Sequence, residues 1–301
     1  MRTLAIVNPA SAGGTTHRRW PAIRDLLFRY TDFEVAFSQY PGHAIEIGRD
    51  ARAQGFQRLI CVGGDGTVSE VVNGAFPASS QHPMPEIAVV PAGTGADFAR
   101  SIGVPHSAEL ACARLAAPSR GVSDLGVVSF TGSRGTETRY FVNASGIGYD
   151  AEVVSRRNGF NRYVRGTLPY LASLAATLLT YQNREITVTI GDNTNTRRIN
   201  ALILAIGRYF GGGMRIAPEA SLSDGLFDVV TIGDVGRFDL ARNVPRVYRG
   251  THLSHPRVSV EHAGTVRVDS NQLVLLQADG ELLGRVPASF EVIPGALTYL
   301  H

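Results

Sequence analysis

The 301-residue chain, with 44% hydrophobic and 18% charged residues, is long enough for one large or two medium domains, each with its own buried core. Its net charge of +3 is too small to announce a nucleic-acid partner, and all 29 of its cationic Lys+Arg side chains are arginine. The absence of lysine excludes Schiff-base chemistry and a lysine-bearing P-loop, so any phosphate clamp must use arginine, backbone amides or a metal ion. Cys61 and Cys112 are too few for a disulfide framework or a cysteine zinc site, and eight histidines are scattered without metal-ligand spacing.

The first third of the chain alternates strand and helix patterns. Residues 4–7 read as a buried strand, 17–30 as a helix with Trp20, Ile23, Leu27 and Tyr30 at helical spacing, and 33–37 as a second strand. Pro41-Gly42-His43-Ala44 opens a helix to about residue 54, with His43 placed either to approach a phosphate or to cap the helix. There follow a strand at 59–62, a helix at 67–76, a strand at 87–90 and helices at 96–102 and 106–117. Short glycine-bearing connections between such units predict a doubly wound parallel sheet.

Beyond Ser119-Arg120-Gly121 strands dominate, at 125–130, 140–144, 186–190, 201–206, 227–232, 257–260, 265–268 and 273–276, with helical insertions at 151–181 and 238–248. This pattern predicts an antiparallel β-sandwich with helical insertions. The expected domains are residues 1–122 with about 292–301, and 123–291. The opening run 3–7 is too short for a signal-peptide core. The most apolar helix, 168–181, contains Pro169 and falls short of the roughly 20 residues that span a bilayer. The expectation is a cytoplasmic protein, with peripheral contact on the inner face of the membrane left open.

Three polar loops follow strands of the first domain. Gly63-Gly64-Asp65-Gly66-Thr67 ends a strand and begins a helix, where free amides carry partial positive charge. An acidic residue between glycines would repel a phosphate unless a cation such as magnesium bridges them; the alternative is a plain turn with Thr67 as helix cap. Pro91-Ala92-Gly93-Thr94-Gly95-Ala96-Asp97-Phe98 repeats the arrangement, and Asn8-Pro9-Ala10-Ser11-Ala12-Gly13-Gly14 supplies a third loop. Adjacent parallel strands would bring all three to one crevice, which favours a nucleotide phosphate site over three unrelated turns.

These motifs, in this order, resemble the diacylglycerol kinase catalytic family, and most of all its small bacterial soluble lipid kinases. Pro218-Glu219-Ala220-Ser221-Leu222-Ser223-Asp224-Gly225 resembles the family's metal-site loop, and Asp279-Gly280-Glu281 its acidic catalytic turn. The resemblance implies an ATP-dependent kinase with ATP lying between an N-terminal α/β domain and a C-terminal β-sandwich. It implies that Asn8, Pro9, Ala10, Ser11, Ala12, Ser38, Gly63, Gly64, Asp65, Gly66, Thr67, Val68, Ser69 and Thr94 line the nucleotide. It further implies that Asp224, with carbonyl oxygens of Ser221 and Leu226, holds Mg2+, and that Glu281 accepts a proton with Asp279 beside it. The last strand, around 297–300, would return to the first domain. The chain departs from the family pattern at Ala96 and Ser69, where asparagine is usual, and at Ala12, where glycine is common. A lost neutral hydrogen bond of this kind costs on the order of 1 kcal/mol. Read as residues alone, Asp279-Gly280-Glu281 and Ser223-Asp224-Gly225 are ordinary turn sequences.

The substrate implied by the resemblance is diacylglycerol or a related lipid. Alternatives are a small-molecule kinase of the same superfamily, NAD kinase-like, and a nucleotide- or lipid-binding regulator without catalysis. Arg156, Arg157, Arg162 and Arg165, interleaved with Phe160 and Tyr163, fit either an anionic-lipid contact or a solvated face. Gly211-Gly212-Gly213-Met214 reads as a flexible loop. No nucleic-acid partner is expected, and a homodimer is left open.

Overall fold

A computed structural model describes residues 1–77, 81–93, 95–133, 135–159 and 167–301, the side chains of 158, 159 and 167–172 excepted. The chain forms two compact units, Met1–Ser123 with Gly295–His301, and Asp124–Pro294.

In the first unit, β1 (Thr3–Val7), α1 (Thr15–Leu27), β2 (Glu34–Phe37), α2 (His43–Ala53), β3 (Arg58–Gly63), α3 (Asp65–Ala75), β4 (Glu86–Pro91), α4 (Asp97–Ser101) and α5 (Ala108–Arg114) alternate along the chain. The strands pair in parallel in the order β2-β1-β3-β4, and Tyr299 and Leu300 add in parallel beside β4. Every residue of β1 and β3 is buried, as their near-continuous apolar sequences require of strands covered on both faces. Ala5, Val7, Ile60 and Val62 pack against Trp20, Ile23 and Leu27 of α1 and Ala108 and Cys112 of α5. The alternate residues Leu4, Ile6, Leu59 and Cys61 are equally buried, and α2 and α3 lie against β1 and β3.

Helices α2 and α3 pack almost backbone to backbone. A Cβ on Gly74 would stand 1.9 Å from the Ile45 carbonyl oxygen, and one on Gly48 would stand 2.6 Å from that of Val71. Neither glycine has a positive φ, so both are glycines for closeness and not for backbone freedom.

The second unit contains β5 (Arg120–Gly132), β6 (Gly135–Phe141), β7 (Ala144–Gly148), α6 (Tyr149–Gly159), α7 (Thr167–Thr180), β8 (Arg184–Ile190), β9 (Asn193–Ala205), β10 (Phe227–Gly233), α8 (Arg237–Arg249), β11 (Val258–Ala263), β12 (Thr265–Asp269), β13 (Leu275–Ala278) and β14 (Glu281–Leu300). The chain passes between the units within β5 and within β14. Pairing in this unit is antiparallel, along β13-β7-β9-β10-β11, with β8 and β12 joining β9 to β14 and β5 pairing with β6. Its core holds Phe130, Ile147, Leu202 and Val229, with Phe141 stacked on Phe227 at 5.6 Å. Gly126 lies opposite Phe141, whose ring fills the space a Cβ would occupy.

The structure corrects several sequence expectations. The helix after β3 begins at Asp65, not Thr67, and its cap residue is Gly64 without a side-chain bond. The strand expected at 140–144 is broken into β6 and β7, and the helical stretch 151–181 into α6 and α7. Residues 211–213 form a turn in which all three glycines have positive φ, and a β-bridge joins Phe210 to Met214 across them. Among the described residues no helix is long and apolar enough to cross a membrane.

Gly74→Ala should destabilise the protein by about 3 kcal/mol, the upper end of the overpacking range, because the added methyl meets backbone that no rotamer change can move aside. Urea denaturation midpoints of the variant and the native chain measure this directly.

Candidate active site

In the first unit the loops after β1, β3 and β4 are tied to one another. The Asn8 side chain donates to Thr67 Oγ1 at 3.2 Å and accepts from the Ala10 amide at 3.1 Å. Ser11 Oγ bonds the Asn8 carbonyl at 2.8 Å and Thr16 Oγ1 at 2.6 Å, and Thr16 donates to the Ala92 carbonyl at 2.9 Å. Ala12, Gly13 and Gly14 turn the chain with three successive positive φ angles, a path that Ala12 follows at some strain. Pro9 and Ala10 complete this loop, and Ser38 donates its amide to the Val7 carbonyl at the end of β1.

Asp65 joins the second and third loops. One carboxylate oxygen accepts the Asp97 amide and the other the Phe98 amide, each at 3.0 Å, so Asp65 caps the short α4. Burial pushes its carboxyl up, opposed by the two amides and by the Arg100 charge. The glycines on either side permit this closure: a Cβ on Gly93 would lie 2.7 Å from Gly64 Cα, and one on Gly63 would lie 2.3 Å from Thr67 Oγ1. Gly66 is different. It is exposed in the first turn of α3, its φ is not positive, and an added Cβ would meet nothing within 4 Å. Val68 and Ser69 are buried in the same helix, and Thr94 lies outside the described residues.

Sequence reasoning passed over Glu70, which accepts the Gly42 amide at 3.1 Å and the Ala44 amide at 3.2 Å and so caps α2 from α3. His43 begins α2, stacks on Tyr40, and accepts the Gln39 amide on Nδ1 at 3.1 Å, which assigns its donor proton to Nε2.

In the second unit, Asp279 and Gly280 form the two-residue turn between β13 and β14, with φ of 47° and 80°. The Asp279 carboxylate accepts the amides of Val142, Asn143 and Ala144 at 2.9, 3.1 and 3.3 Å. Val142 and Asn143 are the interruption between β6 and β7 and Ala144 begins β7, which is why no single strand runs through 140–144. Gln277 accepts the Gly280 amide at 2.8 Å, and Arg157 donates to the Gly280 carbonyl at 3.0 Å. Glu281, half-exposed, forms an ion pair with the mostly buried Arg139. Asp279 is therefore a brace for the turn, and Glu281 is its outward-facing carboxylate.

The Asp224 loop is held from β5. Asp124, which sequence reasoning also missed, accepts the Gly225 amide at 2.7 Å and donates its own amide to the Leu222 carbonyl. Asp224 accepts the Leu226 amide at 3.0 Å and remains exposed. Its charge and that of Glu219 raise the carboxyl of nearby Asp228, behind burial as the main cause, while His262 opposes. Among the described residues no three His, Cys, Asp or Glu side chains converge on a metal site; the donor set that the family resemblance implies is the Asp224 carboxylate with carbonyl oxygens of Ser221 and Leu226. An all-oxygen set of one carboxylate and backbone carbonyls suits a hard divalent ion such as Mg2+. Of the arginine cluster, Arg156 pairs with Glu152 and Arg157 holds the Gly280 carbonyl; Phe160, Arg162, Tyr163 and Arg165 lie outside the described residues.

A parallel α/β unit with glycine-bearing loops at a helix N-terminus is followed along the chain by an antiparallel β unit with two acidic turns. The family described as Diacylglycerol kinase catalytic domain matches residues 2–128, and that described as YegS C-terminal NAD kinase beta sandwich-like domain matches residues 143–301. A protein named diacylglycerol kinase from Bacillus subtilis (strain 168) is 28% identical over 252 residues, covering 83% of this chain and 79% of its own. Its namesake from Mycobacterium tuberculosis (strain ATCC 25618 / H37Rv) is 28% identical over 304 residues, covering 100% and 95%. A crystal structure of a diacylglycerol kinase from Bacillus anthracis str. Sterne shares the fold with a TM-score of 0.73 at 19% identity, over 99% of this chain and 96% of that one. Yeast NADH kinase complexed with NADH is similar with a TM-score of 0.55 at 11% identity, over 100% and 83%. The chain belongs to the diacylglycerol kinase catalytic-domain family, with the YegS-type C-terminal domain.

One buried carboxylate beside the acidic turn predicts a pH signature. Asp150, in the first turn of α6, accepts Gln277 Nε2 at 2.9 Å. Burial pushes its carboxyl from 3.8 up to about 6, against the hydrogen bonds it receives. The folded state therefore binds the extra proton between about pH 4 and 6, and this group's contribution to stability falls as pH rises through that window. Asp150→Asn should remove the fall and gain on the order of 3 kcal/mol at neutral pH. Denaturation midpoints of both proteins across the window check the slope.

Proposed function

We propose that the protein is a kinase that transfers the γ-phosphate of ATP to a hydroxyl of diacylglycerol or a related lipid, in a doubly wound nucleotide-binding domain joined to a sandwich domain that supplies the acceptor chemistry. The observation that carries the nucleotide half of this reading is Gly66. Glycine in a helical turn is destabilising by roughly 0.5–1 kcal/mol relative to alanine, and here neither φ nor a neighbour demands it. A bare backbone beside the orphan amides of a helix N-terminus is what a closely approaching phosphate requires. Asn8 to Ala12 and Thr67 would complete the cradle; Ser38, Val68, Ser69 and Thr94 would flank it.

Phosphoryl transfer asks for positioning, charge neutralisation and an acceptor for the hydroxyl proton. Mg2+ held by Asp224 and the carbonyls of Ser221 and Leu226 would supply neutralisation of phosphate charge. Glu281 would accept the proton of the attacking hydroxyl, its carboxylate oriented by Arg139. Asp279 would act by holding the turn at the interrupted β6–β7 edge. The names of the relatives support a lipid acceptor.

Transfer of labelled phosphate from ATP to lipids in mixed micelles tests this. Label should enter diacylglycerol or a related lipid, and Glu281→Gln should lower kcat by about 10²–10⁴ with ATP binding retained. Gly66→Ala should leave stability unchanged or raised while weakening ATP binding by about tenfold or more, about 1.4 kcal/mol. Unaltered ATP affinity in Gly66→Ala would remove the phosphate cradle from α3. Transfer to NAD and to no lipid would replace the acceptor with a small molecule.

A further inference from the structure

Helix α8 has two dissimilar faces and only one of them is used by the fold. Leu240, Val244 and Val247, spaced by four and three residues, are half-buried, and Val247 packs on the cluster of Ile203, Ile216 and Val230. On the opposite side, Phe238, Arg242, Pro245 and Arg249 recur at spacings of four, three and four. At 100° per residue these four fall within one narrow stripe. All four are exposed, Phe238 to 94%.

The stripe carries two positive charges and no acid. Arg242 and Arg249 form no ion pair among the described residues. The acid of the helix, Asp239, is turned to His255 at 3.1 Å and to the Asn243 side chain at 2.8 Å. Arg246 is likewise spent inside the fold, on Asn243, Thr251 and Ser254. Helix α7 packs against α8 and leaves Leu179 68% exposed near its end. The neighbours of these two apolar side chains, Leu178 and Arg237, line a cavity of about 350 Å³ in the second unit. Its wall includes Asn200, 4% exposed, whose Oδ1 has no partner among the described residues.

We propose that the outward face of α8, with Phe238, Arg242, Pro245 and Arg249, is a docking surface for an anionic lipid bilayer. Guanidinium groups fork onto phosphate oxygens, and the phenylalanine at the N-terminal end of the same stripe enters the apolar region under the headgroups. Charge selects the occupant: a face that is cationic and aromatic with no acid complements an anionic lipid surface. Its purpose in delivering the enzyme to substrate rests on the lipid-kinase reading above; the binding itself does not.

The test is sedimentation of the full chain with vesicles of phosphatidylcholine alone and of phosphatidylcholine mixed with phosphatidylglycerol. Native protein should sediment with the mixed vesicles and much less with phosphatidylcholine. Each arginine removed should weaken binding about fivefold, so Arg242→Gln with Arg249→Gln together should weaken it by tens-fold. Phe238→Ser should weaken it further without changing its salt dependence. Arg29→Gln with Arg285→Gln removes the same charge from other exposed positions and should bind nearly as the native chain does. Far-ultraviolet circular dichroism confirms that each variant is folded. Equal binding by native and α8 variants, or equal loss in the control pair, overturns the proposal. So does a change of oligomeric state in the α8 variants, which would assign the face to a protein partner. Phosphoryl transfer to a short-chain diacylglycerol, assayed without vesicles, reports separately on the kinase reading. Its absence alongside intact vesicle binding would defeat that reading and leave the docking face standing.

Discussion

The bond between the Asp65 carboxylate and the amides at the start of α4 fixes the glycine-bearing edge of the first unit. It uses an acid in a place where a phosphate-binding reading of the sequence would put a metal bridge. Both carboxylate oxygens are committed to backbone, and the loop after β4 is thereby drawn down until Gly93 touches Gly64. Burial raises the carboxyl, and the two amides with Arg100 oppose that rise. Glu70, one and a half turns along the same helix, does the same for α2. Helix α3 thus organises the N-termini of both its neighbours through side-chain carboxylates.

The second unit repeats the device without a helix. Asp279 gathers three successive amides where β6 gives way to β7, and Asp124 takes the amide of Gly225 beside Asp224. In each case one acid is consumed in shaping a turn and a second, Glu281 or Asp224, is left facing outward. The acidic motifs are therefore pairs with divided labour. A turn with a non-glycine residue at φ 47° stays in place only because its surroundings over-determine it, as the bonds to Val142, Asn143, Ala144, Gln277 and Arg157 do around Asp279 and Gly280.

How much of this could be read from the chain alone follows from the range of the interactions. The buried strands of the first unit announce themselves because a parallel strand covered on both faces is a continuous apolar run, as in residues 59–62. The turn glycines were legible for the same local reason. The break between Phe141 and Ala144 was not, because its cause, Asp279, lies far along the chain. Glu70, Asp124 and Asp150 were invisible on similar grounds: their partners are 26 to 28, 101 and 127 residues away. The start of α3 was misplaced by two residues because Thr67 resembles a cap, whereas its hydroxyl instead meets Asn8.

Close packing also sorts the glycines of the first unit by what requires them. Gly48 and Gly74 let two helices touch, Gly63 makes room for Thr67, and Gly93 makes room for Gly64. Each would be glycine whether or not the protein bound anything. Gly13, Gly14 and Gly42 are glycines for their φ. Gly66 belongs to neither group, so the fold alone gives no reason to retain a residue that weakens the first turn of α3. A glycine motif read from sequence mixes all three kinds, and only coordinates separate them. Once they are separated, packing accounts for Gly63 in the run Gly63-Gly64-Asp65-Gly66-Thr67, while Gly64 and Gly66 are the two glycines whose added Cβ would meet only ordinary contact or open space.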